Sequence, residues 1–160
     1  MLTVNIICVG KLKEPFYLAA VEEYAKRLSR SCKLNLTELP EERLPEKPSQ
    51  AQIDAALLKE AELIRAKLPK GGIVVAMCIE GKALSSEALA RKFTEWTVGG
   101  ASQLTFLIGS SFGMHPSVKA AADFRLSMSP MTFPHHLARV MLLEQIYRAF
   151  QINEGSRYHK

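Results

Sequence analysis

The chain has 160 residues, of which 48% are hydrophobic and 23% are charged, and its formal net charge is +5. This length suits one domain with its own core, and no apolar run approaches the roughly 18 residues of a membrane span. Because the first residues also lack the features of a signal peptide, we expect a single domain over residues 1–160 that stays in the cytoplasm.

The first half of the chain is predicted to alternate strands with helices. A strand over residues 3–9 precedes a helix over 14–28, and residues 33–39 form a second strand nearer an edge. The apolar stripe of the first helix is Phe16, Ala20, Tyr24 and Leu28. Three prolines mark residues 40–49 as a surface excursion rather than a domain boundary.

A second helix is predicted over residues 50–68, with an apolar face turned inward. That face consists of Ile53, Leu57, Leu58, Ala61, Ile64 and Leu68. Residues 73–79 are continuously apolar, which is typical of a parallel strand buried on both faces. A third helix follows over 87–97, with Ser85 or Ser86 as its N-cap.

The last third of the chain continues the alternation. The predicted elements are a strand over 104–108, a short helix over 116–122, a strand over 124–128, a loop over 129–133 and a helix over 135–152. Regular alternation of strands and helices predicts an α/β fold with a mostly parallel sheet flanked by helices.

The loops that follow the strands do not carry phosphate-binding motifs. There is no G-x-G-x-x-G after the first strand and no G-x-x-x-x-G-K-[ST] anywhere. These loops instead combine apolar side chains with free backbone groups at the edge where open α/β sheets bind ligands. Such a site suits an adenine ring and a thioether or sulfonium chain, although ordinary core packing explains the same spacing more often.

The final helix is apolar on nearly all sides, since ten of the fourteen residues over 137–150 are apolar. A helix of this kind is buried all round, which favours a two-fold dimer.

Arg139 lies among the apolar residues of this helix and needs an anion or carbonyl groups. Glu144 and Arg148 are spaced as a structural ion pair, with an RNA phosphate as the alternative partner of Arg148. His135 begins the helix, where the neutral imidazole is favoured. It is a candidate base, and a packing role is the alternative.

Seven segments together resemble the ribosomal large-subunit pseudouridine N3-methyltransferases of the SPOUT class, called the methyltransferase H family. The segments are VGKLK (9–13), EGK (80–82), LSS (84–86), FLIG (106–109), MTFPH (131–135), EQIYRAF (144–150) and YHK (158–160). The resemblance covers essentially the whole chain and implies a homodimer with a C-terminal trefoil knot that holds S-adenosylmethionine in a bent form.

The resemblance also implies particular cofactor contacts. Carried onto matching positions, they are Met77, Gly109, Met128, Ser129, Pro130, Met131, Thr132 and Phe133. The chain departs from the family at one place, because the family usually has Ile-Gly-Gly where this chain has Ile-Gly-Ser at 108–110. If the second glycine requires a positive φ, Ser110 is strained there.

Family members methylate N3 of a pseudouridine in a 23S rRNA hairpin at the ribosomal subunit interface, on assembled ribosomes. The resemblance implies the same substrate for this chain and a reaction that needs no metal. We expect His159 and Tyr158, with Arg139 or Arg148, to approach the base, across a dimer interface if needed. His135 is the second candidate for proton handling.

Exposed basic residues are candidate phosphate contacts, and a solvated surface is the alternative for each of them. They are Lys11, Lys13, Arg27, Arg30 and Arg157.

The three cysteines, Cys8, Cys32 and Cys78, show no C-x-x-C spacing and are expected to be buried reduced thiols. The alternative functions are a non-catalytic knotted RNA-binding protein and, last, a doubly wound nucleotide-binding enzyme.

Overall fold

The computed structural model describes residues 1–159 as five strands that alternate with five helices. In chain order the elements are β1 Thr3–Val9, α1 Pro15–Leu28, β2 Lys33–Leu39, α2 Gln50–Lys67, β3 Ile73–Ala83, α3 Ser86–Val98, β4 Gln103–Ile108, α4 Pro116–Ala121, β5 Phe124–Ser127 and α5 His135–Asn153. Each predicted element is present, and most boundaries lie within two residues of the prediction. Lys160, the last residue of the YHK segment, lies outside the described residues.

All five strands belong to one parallel sheet, with the order β2-β1-β4-β3-β5. The chain therefore crosses over other strands between β2 and β3 and again between β4 and β5. Strand β4 lies at the centre and is buried at nearly every position. This arrangement confirms the predicted α/β fold with a parallel sheet. The trefoil knot stays a prediction.

Helices cover both faces of the sheet and enclose two cores. The larger core is built from β1, β4, α1, α3 and α5, and its biggest buried side chains include Phe93, Phe106, Leu142 and Ile146. The smaller core packs α2 and α4 against the other face, around Ile64. Burial on both faces explains the continuous apolar runs of the inner strands.

Two apolar residues assigned to helix faces are exposed instead. Phe16, placed on the stripe of α1, is 65% exposed, because that helix turns Val21, Tyr24 and Leu28 toward the larger core. Leu58 of α2 is 44% exposed, and the buried position two residues later is a carboxylate, Glu60. Both predictions were wrong because period alone does not fix how a helix is rotated against its sheet.

Strand β3 runs to Ala83, four residues beyond the predicted end. It contains a bulge between Met77 and Lys82, both of which pair with Leu126 of β5. Gly81 makes the bulge possible, since a Cβ there would lie 2.8 Å from the backbone of Arg125. The bulge moves residues 78–80 out of the ladder and toward the end of the sheet.

Among the described residues, no helix has both the length and the apolar character needed to cross a membrane. Cys8 and Cys32 are buried and Cys78 is half-buried, and all three are free thiols. On α5, five residues are buried and most of the others remain partly accessible in the single chain. The predicted dimer is thus left as a prediction.

Candidate functional site

A cavity of about 370 Å³ lies at the carboxyl end of the sheet, within the usual range of ~300–1,000 Å³ for small-molecule sites. Three segments form most of its wall: the β3 bulge, the loop after β4 and the loop after β5. The predicted cofactor residues on this wall are Met77, Gly109, Met128, Ser129, Met131, Thr132 and Phe133. Pro130 belongs to the same loop but does not line the cavity.

Several lining residues were not predicted. They are Cys78, Ile79 and Glu80 from the bulge, Phe112 from the loop after β4, and Lys119 from α4. Glu80 belongs to the EGK segment, but a bulge that depends on pairing with β5 leaves no local sequence pattern. The predicted residues therefore fall on all three segments, but Met77 is the one predicted residue on the β3 bulge.

The electrostatic character of the cavity does not favour phosphate. Lys119 is the one Lys or Arg among the described lining residues, and its Nζ lies 2.5 Å from Oε1 of Glu80. The hydrogen bond from Lys119 lowers the pKa of Glu80, so that carboxylate balances the ammonium charge. A nearly neutral, mainly apolar cavity suits a nucleoside with a short charged chain better than a pyrophosphate.

The loop after β4 is a tight turn. The Ser110 amide donates to the Gly113 carbonyl and the Gly113 amide donates back, at 3.1 and 2.8 Å. A Cβ on Gly109 would lie 2.3 Å from that same carbonyl, so this position requires glycine. The described non-glycine residues include none with positive φ, so Ser110 is not strained.

His135 is the predicted catalytic residue that lines the cavity directly. Its Nε2 lies 4.0 Å from Oε2 of Glu41, and its ring centroid lies 4.1 Å from that of His136. Burial, followed by the neighbouring His136, lowers the pKa of His135. The expected neutral imidazole is thus supported, with burial rather than the helix terminus as the main cause.

Arg139 has the anion and the carbonyl that its apolar surroundings require. Its Nη1 donates to Oε2 of Glu38 at 2.6 Å and its Nη2 donates to the Gly10 carbonyl at 3.0 Å. Partial burial alone would raise the pKa of Glu38, but the Leu12 amide and the Arg139 guanidinium hold it below its usual value. Arg139 thereby ties α5 to β1 and β2, and it does not line the cavity.

The other three predicted catalytic residues form one cluster, held by two carboxylates. The predicted ion pair is confirmed, with Arg148 Nη2 2.7 Å from Glu144, while the Tyr158 hydroxyl donates to both Glu144 oxygens at 3.0 Å. His159 lies between Arg148 and Glu87, at 3.1 and 2.6 Å. We call Arg148, Tyr158 and His159 the tail cluster.

The tail cluster does not line the 370 Å³ cavity of its own chain. Glu144 lines a second cavity of about 510 Å³, which shares Leu126 and Met128 with the first. Met128 thus contributes to the wall between the two. The structure brings His135 to the first cavity and places Glu144, the carboxylate that Arg148 and Tyr158 contact, at the second.

The candidate phosphate contacts Lys11, Lys13, Arg27, Arg30 and Arg157 are all exposed. Arg27 is partly engaged, since its Nε donates to Glu23 at 2.9 Å and its guanidinium lies over the rings of Tyr24 and Tyr147.

Comparisons with known proteins agree over nearly the whole chain. A family model described as a predicted SPOUT methyltransferase matches residues 2–159. Proteins named ribosomal RNA large subunit methyltransferase H from Levilactobacillus brevis and Clostridioides difficile are 46% and 45% identical over 159 residues, 99% of this chain and 100% of each relative. A Methanococcus maripaludis protein with the same name, marked putative, is 46% identical with the same coverage.

Among solved structures, a probable methylase family protein from Haemophilus influenzae Rd KW20 has a TM-score of 0.53. The match covers 98% of this chain and 70% of that one, at 10% identity, and so concerns the fold alone.

Proposed function

Since the chain belongs to the SPOUT methyltransferase family and matches its ribosomal RNA large subunit methyltransferase H members end to end, we propose that it methylates N3 of a pseudouridine in 23S rRNA, with S-adenosylmethionine as the methyl donor. The observation that carries the proposal is the cavity at the carboxyl end of the sheet. The proposal includes a homodimer that works on assembled ribosomes in the cytoplasm.

The size and the nearly neutral charge of the cavity support S-adenosylmethionine as the cofactor. Met77, Met128 and Phe133 offer apolar surface for an adenine ring, and the backbone of the loops at 109–113 and 128–133 offers hydrogen-bonding groups for its edge. Glu80, which is paired with Lys119, adds a carboxylate to the cavity wall. When bound, the cofactor supplies an electrophilic methyl group.

The protein's own task is then to orient the base and manage its proton. N3 of the base is an imide nitrogen between two carbonyls, and it becomes a good nucleophile only after its proton leaves. Negative charge that develops on the flanking oxygens is stabilised by donors such as a guanidinium or a phenol. The tail cluster has this set of groups.

The protonation states within the tail cluster follow from the contacts. Burial and the hydrogen bond to Glu144 raise the pKa of Tyr158, so its phenol stays a donor. Arg148 can only donate, so Nδ1 of His159 accepts from it and Nε2 donates to Glu87. His159 gains a free lone pair for a substrate proton once Arg148 turns toward the base.

We assign the guanidinium at the base to Arg148 rather than Arg139, because Arg139 is buried and its terminal nitrogens are committed to Glu38 and Gly10. The residues of the tail cluster do not line the cavity of their own chain, so in our proposal they serve the cavity of a partner subunit. His135 remains the second candidate for proton handling, because it lines the cavity in the same chain.

The decisive experiment is mass mapping of 23S rRNA from cells with and without the gene. Loss of one methyl group on a pseudouridine is expected, and complementation should restore it. An unchanged map would reject the function, and a chain that binds RNA without taking up S-adenosylmethionine in calorimetry would instead be a non-catalytic binding protein.

Truncation after Arg157 separates the tail from the cofactor site. The shortened chain should bind S-adenosylmethionine with unchanged affinity but fail to methylate RNA, because Tyr158 and His159 are gone. Normal turnover by that chain would move the chemistry to His135.

Recognition of the ribosome is tested with two substrates. Assembled ribosomes should be methylated, whereas the isolated hairpin RNA should not, since a 160-residue protein offers little surface for reading a hairpin alone. Equal rates on both would contradict this part of the proposal.

A further inference from the structure

Glu60 is a buried carboxylate that contacts the cavity wall from behind. It is 4% exposed, its Oε1 accepts the Ser110 hydroxyl at 2.8 Å, and its Oε2 accepts the Glu42 amide at 2.9 Å. One side chain of α2 thus joins the loop after β4 to the segment that follows β2. A buried carboxylate is costly unless its oxygens are hydrogen-bonded, and both are.

Glu41 contacts the same loop one residue further on. Its Oε1 accepts from both the amide and the hydroxyl of Ser111, at 3.2 and 2.8 Å. Its other oxygen, Oε2, lies 4.0 Å from Nε2 of His135. Glu41 and Glu60, which we call the acidic brace, therefore hold two consecutive residues of a loop that lines the cofactor cavity.

We propose that the acidic brace positions the loop 109–113 for cofactor binding, so that Glu60 acts through Ser110 and Glu41 acts through Ser111. The inference rests on the proposed function, and it deepens it by naming two positioning residues that lie outside the cavity. Neither residue lines the cavity, and their effect is on the geometry of the turn.

The serine at 110 makes this arrangement a property of the present chain. The family that the chain resembles usually has glycine at this position, and glycine has no hydroxyl to donate to Glu60. Ser110 restricts the backbone more than glycine does and adds a hydrogen bond to a charged acceptor. Both effects reduce the freedom of the turn, and less order has to be imposed when a ligand binds.

The brace also gives a role to residues 40–49. This segment has no regular secondary structure up to Ser49, yet its acidic start is tied to α2 and to the cavity loop. Burial raises the pKa of Glu60, and the nearby Glu41 and Glu42 add to this, while the two hydrogen bonds oppose it. Position 60 therefore holds a carboxylate where an apolar residue would avoid the desolvation cost.

The test compares cofactor affinity and stability in matched variants. S-adenosylmethionine affinity is measured by calorimetry on the full chain, and the free energy of unfolding is measured without cofactor. Ser110→Ala and Glu60→Ala should each weaken binding about tenfold, the size expected for one hydrogen bond to a charged group. Glu62→Ala, an exposed carboxylate on the same helix, should leave the affinity unchanged.

Two further variants separate positioning from simple folding. Glu60→Gln can still accept from the Glu42 amide and donate to the Ser110 hydroxyl, so it should bind within about twofold of the unaltered chain. The double variant Ser110→Ala with Glu60→Ala should bind no more weakly than the weaker single variant, because both changes remove the same contact.

The outcomes distinguish the two proposals. If the unaltered chain does not bind S-adenosylmethionine, the proposed function fails. If it binds and the folded Ser110→Ala variant binds equally well, the brace proposal alone is overturned. Should Glu60→Ala fail to fold, Ser110→Ala and Glu60→Gln still decide the question, since neither removes a large buried side chain.

Discussion

Removing the carboxylate of Glu38 should cost more stability than removing the guanidinium of Arg139, although both changes break the same ion pair. The Arg139 side chain is 4% exposed and the Glu38 side chain is 37% exposed. Glu38→Ala leaves a buried cation with only the Gly10 carbonyl, whereas Arg139→Met leaves a carboxylate that water can reach. The difference follows from which partner is left behind.

The magnitudes follow from these exposures. Leaving a buried charge unpaired costs about 3–5 kcal/mol, which is the range expected for Glu38→Ala. Arg139→Met should cost about 1–3 kcal/mol, because Glu38 keeps the Leu12 amide and gains water while methionine fills the space of the methylenes. For a chain of this size, each kcal/mol lowers Tm by about 2–4 °C.

Urea unfolding followed by the fluorescence of Trp96, the single tryptophan, measures the free energy of unfolding. Protein concentration is held fixed, because association adds to apparent stability. The exposed pair Arg27–Glu23, with side chains 40% and 51% exposed, supplies the control. Glu23→Ala should change stability by less than about 1 kcal/mol. A loss for Arg139→Met that equals or exceeds the loss for Glu38→Ala would refute the reasoning.

Three further predictions concern titration, packing and the cavity. Because the folded pKa of Glu38 is lowered, its stabilising contribution is present above the ordinary value of 4.5 and is lost as pH falls below it. The difference in unfolding free energy between the unaltered chain and Glu38→Gln should therefore shrink on the acid side. Gly81→Ala should weaken cofactor binding, measured by calorimetry, since its Cβ would push β3 away from β5; unchanged affinity would show that the bulge does not shape the cavity. In mass-spectrometric alkylation Cys78 should react before Cys8 and Cys32, whose pKa values burial raises to about 12 and about 11, and S-adenosylmethionine should protect Cys78. Equal labelling with and without cofactor would count against the assigned cavity.

Sequence patterns predicted the elements well because strand and helix periods are local. The continuous apolar runs identified inner strands, and the need of Arg139 for an anion followed from its apolar neighbours. Rotation of the helices was not predictable, as Phe16 and Leu58 show. Whether an apolar residue on a wide face is buried depends on which strand lies beneath it, and that is set by the sheet order.

The parts of the site that sequence missed depend on contacts between distant segments. Glu60 reads as an ordinary helix residue until Ser110 and Glu42 are brought to it, 50 and 18 positions away. The β3 bulge likewise depends on β5. The resemblance flagged Ser110 as a departure from glycine, but only the structure shows that its φ is ordinary and that its hydroxyl has a partner.

The larger core cannot be completed until the end of the chain has been synthesised. Leu142, Leu143, Ile146 and Ala149 of α5 complete that core, and α5 is the last element of the domain to be made. β1 can pair early with β2, but its second partner, β4, is made some 100 residues later. A nascent chain that ends before α5 lacks the side chains that complete this core, including Phe150, which packs against Phe93. Apolar surface of the kind that promotes aggregation therefore stays exposed until α5 is made.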